Sequence, residues 1–197
     1  MSSTVEGDAQ PRRTLLFTGH MVDAPDRAQP RFPATRVDAA ARRIGAVLDD
    51  IGAGPEDLAL TQGAAGGDLL FAEACLARGV PLRLLLPLAQ REFAAASLLP
   101  VVDGAAWHAR FRAVVDRLDE PPREAPLVLG PLAPGEDAFV RANRWLLDSA
   151  LAFGRDSLIC ICLWDGGGGD GPGGTRHLVN AVRAAGGRVV RIDASAL

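Results

Sequence analysis

Apolar positions fall along this chain in blocks, and the blocks take two forms. Short runs that are mostly apolar without helical spacing are Thr14-Leu15-Leu16-Phe17-Thr18-Gly19-His20, residues 58–62, Leu82–Leu86, Leu127-Val128-Leu129, Ser157–Leu163 and Arg188–Ile192. Each is strand length and bounded by Gly, Pro or polar residues, which predicts strands buried on both faces. Between them lie segments with helical spacing. From Arg36 the positions Val37, Ala40, Ala41, Ile44, Val47, Leu48 and Ile51 follow a helical stripe, stopped by Gly52 and Gly54. Further helices are predicted at about 67–78, closed by Gly79, through Phe139, Ala142, Leu146, Ala150 and Phe153, and at 175–185. Residues 88–125 read as interrupted helix, broken at Pro100, Gly104 and Pro121-Pro122.

Continuously apolar strands separated by helices indicate a parallel sheet covered on both sides. The expected fold is α/β, a doubly wound, mostly parallel Rossmann-like sheet of about six strands in three layers, α/β/α. The length of 197 residues suits one domain, placed at residues 14–197 behind a flexible tail of residues 1–13. Residues 21–35, with Pro25, Pro30 and Pro33, form a loop longer than a connector needs.

Ligands of such sheets bind outside the carboxyl ends of the strands. Those ends are here Thr18-Gly19-His20, the turn Thr61-Gln62-Gly63-Ala64-Ala65-Gly66-Gly67-Asp68, Pro87, Gly130-Pro131 and Trp164-Asp165-Gly166. Two of them are glycine-rich strand-to-helix turns, the arrangement that offers backbone N–H groups and a helix dipole to an anion. In the first, nothing larger than a methyl projects from residues 63–67, and Asp68 opens the helix either as an N-cap or as a carboxylate toward a ribose hydroxyl or a water. Glu73 reads as a solvated position. The second has seven Gly in residues 166–174 and ends in Gly173-Gly174-Thr175. It reads as a flexible loop or as a phosphate cradle whose Thr hydroxyl caps the helix or binds the anion. His177, two residues on, is a surface or capping residue or an acid/base group. Arg27, Arg31, Arg36, Arg91 and Arg110 are surface cations or, beside these turns, phosphate partners.

Composition narrows the chemistry. All 21 basic residues are Arg, so a Walker-A lysine and Schiff-base catalysis are excluded, and a net charge of −3 argues against nucleic acid as a partner. His20, His108 and His177 are scattered, and Cys75, Cys160 and Cys162 are too few for a zinc site or a disulfide framework, so no metal and no cofactor is expected. Cys160 and Cys162 alternate within a run and are expected on one face of a buried strand. No apolar run reaches the roughly 20 residues of a membrane span and the first residues lack a leader pattern, so a cytoplasmic protein is expected.

The stretch Leu60-Thr61-Gln62-Gly63-Ala64-Ala65-Gly66-Gly67-Asp68 through Ala72-Glu73-Ala74 to Gly79-Val80-Pro81 and Leu84-Leu85-Leu86-Pro87 resembles the pattern of the SLOG superfamily. That superfamily unites the SMF/DprA DNA-processing proteins with the LOG phosphoribohydrolases. Pro172-Gly173-Gly174-Thr175 is similar to its second signature, Pro-Gly-Gly-x-Gly-Thr, and with Thr18-Gly19-His20 and Trp164-Asp165-Gly166 the likeness spans about residues 14–193. The resemblance is nearest to bacterial branches found beside signalling domains. It implies a cradle for phosphate and ribose at Gly63, Gly66, Gly67, Asp68, Gly173, Gly174 and Thr175, with Thr18, Gly19 and His20 on the neighbouring strand end, and it leaves a homodimer open; Ala64, Pro87 and Arg91 at the same strand ends are expected to join the ligand site.

LOG enzymes carry acidic residues just after the signature Thr, one of which serves N-glycosidic cleavage. Arg176, His177 and Leu178 stand there in this chain. Three functions follow as expectations. The first is binding of a small nucleotide-type ligand, in signalling or sensing. The second is a nucleotide or NAD N-glycosidase, with Asp68, Asp165 and His177 as its catalytic candidates. The third is DNA binding in the DprA manner.

Overall fold

A computed structural model describes residues 10–168 and 173–197. Six strands form one sheet in the order β4-β3-β2-β1-β5-β6, and every pairing is parallel. They are β1 (Thr14–Gly19), β2 (Leu58–Thr61), β3 (Leu82–Leu86), β4 (Arg123–Glu124), β5 (Leu158–Leu163) and β6 (Arg188–Ile192). The helices are α1 (Val37–Asp50), α2 (Gly67–Leu76), α3 (Gln90–Ser97), α4 (Gly104–Val115), α5 (Ala125–Val128), α6 (Ala138–Leu151) and α7 (Thr175–Ala184). This is the doubly wound α/β architecture expected from the sequence.

Strand periodicity sorts side chains to the two faces. Leu15 and Phe17 of β1, with Ile159, Ile161 and Leu163 of β5, join the core under α1, α2 and α4, whereas Leu16, Leu158 and Cys160 join the core under α6 and α7. Cys160 and Cys162 project to the same side, where Cys162 meets Trp164, Val179 and Val189. On the first face Phe17 stacks on Phe71 with ring centroids 4.7 Å apart, fixing α2 against β1.

Two expectations are corrected. Leu127-Val128-Leu129 is not a strand: Ala125–Val128 is one turn of helix with Pro126 in its first turn, and Leu127 is 81% exposed. Pro lacks the N–H that a strand ladder needs and suits a helix start, so the slot beside β3 is filled by the two residues Arg123 and Glu124. Gly130 and Pro131 are consequently not at a strand end, and their carbonyls accept hydrogen bonds from Arg141 Nη1 at 3.0 and 3.1 Å.

The second concerns the tail. Residues 1–9 lie outside the described residues, but Arg12 and Arg13 are pinned. Both donate to the buried Asp57 carboxylate, with contacts between 2.8 and 3.1 Å, and to carbonyls of Ile51 or Gly52. Burial alone would raise the Asp57 carboxyl, but the Arg13 and Arg12 hydrogen bonds and the Gly54 N–H outweigh it and hold the group at about 2.

Candidate functional site

The strand order places a topological switch point between β1 and β5. From β1 the chain winds outward to β4, then returns across the sheet to add β5 and β6 on the other side. Crossovers diverge there, and they leave a cavity of about 400 Å³ at the carboxyl ends of β1, β2 and β5. Its size is within the range of small-molecule sites. Of the residues expected from sequence, Thr18, Gly19, His20, Ala64, Asp68, Gly173, Gly174 and Thr175 line it.

The first glycine turn is a tightly bonded structure. Asp68 Oδ2 accepts the N–H groups of Gly63 at 3.2 Å and Ala64 at 3.4 Å, the Ala65 N–H goes to the Ser97 carbonyl at 2.9 Å, and the Gly67 N–H goes to the His20 carbonyl at 3.1 Å. These donors are engaged within the protein, so the turn lends the cavity its Ala64 and Asp68 walls. The N-cap of α2 is Gly66, and Asp68 reaches back over the turn. Gly66 has φ +115°, and a Cβ there would lie 2.8 Å from the His20 carbonyl oxygen and the Val22 nitrogen, so only glycine lets β1 and this turn meet. Gly63 and Gly67 shape the same turn behind the wall.

Burial raises the Asp68 carboxyl to about 6, against the pull of the turn's hydrogen bonds. A carboxyl kept partly protonated in a cavity is characteristic of functional sites.

The second turn is described at Gly166–Gly168 and from Gly173 onward; Asp170 and Pro172 of the sequence pattern lie outside the described residues. Gly174 is the N-cap of α7 and has no side chain to cap it, so Thr175 is the first helical residue and not the cap. The first N–H groups of α7, at Thr175 and Arg176, have no acceptor among the described residues and face the cavity with Gly173 and Gly174. Gly173 has φ +85°, and a Cβ there would come within 2.9 Å of Phe139 Cβ and Val140 N, so the turn is pressed against α6.

His20 and Asp165 join the ends of β1 and β5. The Asp165 N–H donates to His20 Nε2 at 3.1 Å, and Asp165 Oδ1 lies 3.2 Å from the same nitrogen. Burial lowers the His20 pKa, against the Asp165 charge, and a neutral ring is what an Nε2 acceptor requires. Burial works to raise the Asp165 carboxyl, but the Gly167 N–H and the nearby Arg31 take it below its ordinary value. Asp165 stands beside the cavity, holding His20 and Arg31, rather than on its wall.

Three of the residues expected from sequence lie elsewhere. Pro87 is buried just past β3, Arg91 is exposed on α3, and His177 is exposed on α7. None of them lines the cavity.

Of the arginines weighed as phosphate partners, Arg27 and Arg31 line the cavity, and Arg176, which sequence reasoning missed, joins them. The loop 21–35 folds over the strand ends because Asp23 Oδ2 accepts the N–H groups of Arg31 at 2.9 Å and Phe32 at 3.0 Å, and the Asp23 carbonyl accepts Val102 N–H. Arg27 and Arg31 thereby stand on the cavity wall, Arg27 Nε 3.3 Å from Asp23 Oδ1 and Arg31 Nε 3.7 Å from Asp165 Oδ2. The loop's excess length was the available signal. Arg176 lines the cavity from α7, whereas Arg36 donates to the Ala194 carbonyl and Arg110 binds Glu73 at 2.7 Å over the Trp107 ring. Glu73 is therefore paired rather than free in solvent.

Gln62 and Asn143 also line the cavity. Asn143 sits between Ala142 and Leu146 on the buried face of α6, and a polar residue inside an apolar stripe is the signal that would have singled it out.

The fold and site define a doubly wound α/β protein with a ligand-sized cavity at its switch point. No family model and no curated protein matches the chain. Among the solved structures similar to it are two. One is the X-ray structure of TM1055, a structural-genomics target, at 16% identity and a TM-score of 0.46, covering 90% of this chain and 72% of that one. The other is the DNA processing protein DprA from Streptococcus pneumoniae, at 13% identity and a TM-score of 0.40, covering 92% of this chain and 59% of that one. No helix among the described residues is long and apolar enough to cross a membrane.

Proposed function

We propose that this protein binds a nucleotide or nucleotide-derived ligand in the cavity at the β1/β5 switch point, with a phosphate at the start of α7. The observation that carries the reading is the convergence, on the walls of one cavity, of α7 N–H groups that take no acceptor among the described residues with Arg27, Arg31 and Arg176. Backbone N–H groups and guanidinium donors together favour a phosphate over a neutral ligand. Isothermal titration calorimetry with AMP, ADP, NAD and cyclic nucleotides tests it. Micromolar binding of at least one, competed by excess inorganic phosphate, is the expected result; no heat from any of them at millimolar concentration refutes it.

A second reading is favoured by one feature, the buried Asp68 with its carboxyl raised to about 6 on the cavity wall. A group titrating near neutrality can give a proton to a departing base while water adds at the sugar carbon, which is N-glycosidic hydrolysis. Chromatography of AMP and NAD incubated with the protein separates the readings: released base supports turnover, and unchanged nucleotide from a protein that binds it leaves binding alone.

A further inference from the structure

Two side-chain amides connect the glycine turns, and a backbone carbonyl dictates their orientation. Asn143, 4% exposed on α6, has one end of its amide 2.5 Å from the Gly173 carbonyl oxygen, which can only accept; Nδ2 must therefore face it. Oδ1 is left toward Gln62 and can only accept in turn. Gln62, at the end of β2, consequently presents Nε2 to it, at 2.9 Å. The remaining end of the Gln62 amide, Oε1, takes no donor among the described residues, and Gln62 is on the cavity wall. A carbonyl on a backbone turn thus sets, through two side chains, which atom Gln62 shows to a ligand.

The neighbouring polar group on this wall is Asp68, whose carboxylate is also an acceptor when ionised. The start of α7, one side-chain amide away through Asn143, presents donors. The walls are therefore polarised: donors at α7 suit an anion, and acceptors at β2 suit a group that carries a hydrogen.

Resting on the nucleotide reading above, we infer that Gln62 Oε1 is the specificity determinant for a hydroxyl of the ligand's sugar, with Asn143 as the positioning residue that turns it to that task. From the Gly173 carbonyl to Gln62 Oε1 the path is two side-chain amides and two hydrogen bonds, and the first groups beyond the phosphate of a nucleotide that offer a hydrogen are the hydroxyls of its sugar.

The test is calorimetry with AMP, 2′-deoxy-AMP, 3′-deoxy-AMP and IMP on the parent protein and on Gln62→Met, with thermal unfolding to show that the variant is folded. One deoxy analogue is expected to bind the parent about ten-fold more weakly than AMP, the weight of one hydrogen bond to a positioned acceptor. IMP is expected to bind as AMP does. In Gln62→Met the preference for AMP over that analogue disappears. Equal affinity for all four nucleotides, or a preference that survives in folded Gln62→Met, overturns the inference while leaving nucleotide binding intact. Discrimination against IMP alone also overturns it, because the donor read is then an amino group. No binding by any of the four overturns the nucleotide reading itself. The deoxy analogues on the parent keep the inference falsifiable even if Gln62→Met does not fold.

Discussion

Replacing Gly174 by Asp separates what the second glycine turn does for folding from what it does for a ligand. Gly174 is the N-cap of α7 at φ −72° and ψ 176°, extended backbone that any residue adopts without strain. Aspartate is a preferred N-cap whose carboxylate accepts the helix's free N–H groups, so the exchange is expected to stabilise the fold by a few tenths of a kcal/mol, with a further ~0.5 kcal/mol from the helix dipole. For a chain of this length that raises the unfolding midpoint by about 2 °C. The same carboxylate occupies the N–H groups proposed for phosphate and sets a negative charge about 4 Å from the anion, a repulsion of up to about 4 kcal/mol at an effective dielectric constant of 20. The expected loss of nucleotide affinity is on the order of a hundred- to a thousand-fold. Differential scanning calorimetry and titration calorimetry on one preparation read both effects. An unfolding midpoint several degrees lower refutes the capping argument, and unchanged affinity in a variant of parental stability places the phosphate elsewhere.

Three further outcomes follow from other groups. Asp68 titrates near 6 in the fold against an ordinary value of 3.8, so the folded state prefers its neutral form; that stability is fully present below about 4 and is lost as pH rises through about 6. Asp68→Asn is accordingly expected to be more stable than the parent at pH 7.5, by up to about 3 kcal/mol, and equal to it at pH 4; a variant less stable at pH 7.5 in urea melts contradicts the assignment. Asp57 has the opposite sign, with a folded value of about 2. Its contribution of about 2 kcal/mol is present above pH 4 and lost as pH falls toward 2, so Asp57→Asn is expected to lower stability at pH 7 and to flatten the acid limb of the urea-melt profile. Cys75, Cys160 and Cys162 are buried free thiols, and burial raises all three, Cys162 to about 11. A thiol-reactive dye is expected to label none of them in the native protein and all three in guanidinium; fast labelling of the native protein contradicts their burial.

The strands and helices of this molecule are legible in its sequence because each is specified locally. A parallel strand covered on both faces is apolar at nearly every position, so 14–19, 82–86 and 158–163 announce themselves, and α1 and α6 show their buried stripe at helical spacing. The two glycine turns were equally visible, since no other composition lets a backbone pass as close as Gly66 passes the carbonyl of His20. β4 escaped for the complementary reason: two charged residues, Arg123 and Glu124, become a strand only because β3 offers them an edge, while the more apolar Leu127 is left in solvent.

The sequence by itself therefore determined the layered α/β architecture and the strand ends where a ligand has room. Tertiary structure alone decided which side chains meet there. Gln62 and Asn143 are 81 residues apart and Asn143 and Gly173 30, and Arg31 reaches Asp165 only because a loop folded on Asp23 carries it across the strand ends. Local pattern encodes how much of each residue is buried; the hydrogen-bonded orientation of one amide by another depends on packing that no single segment contains.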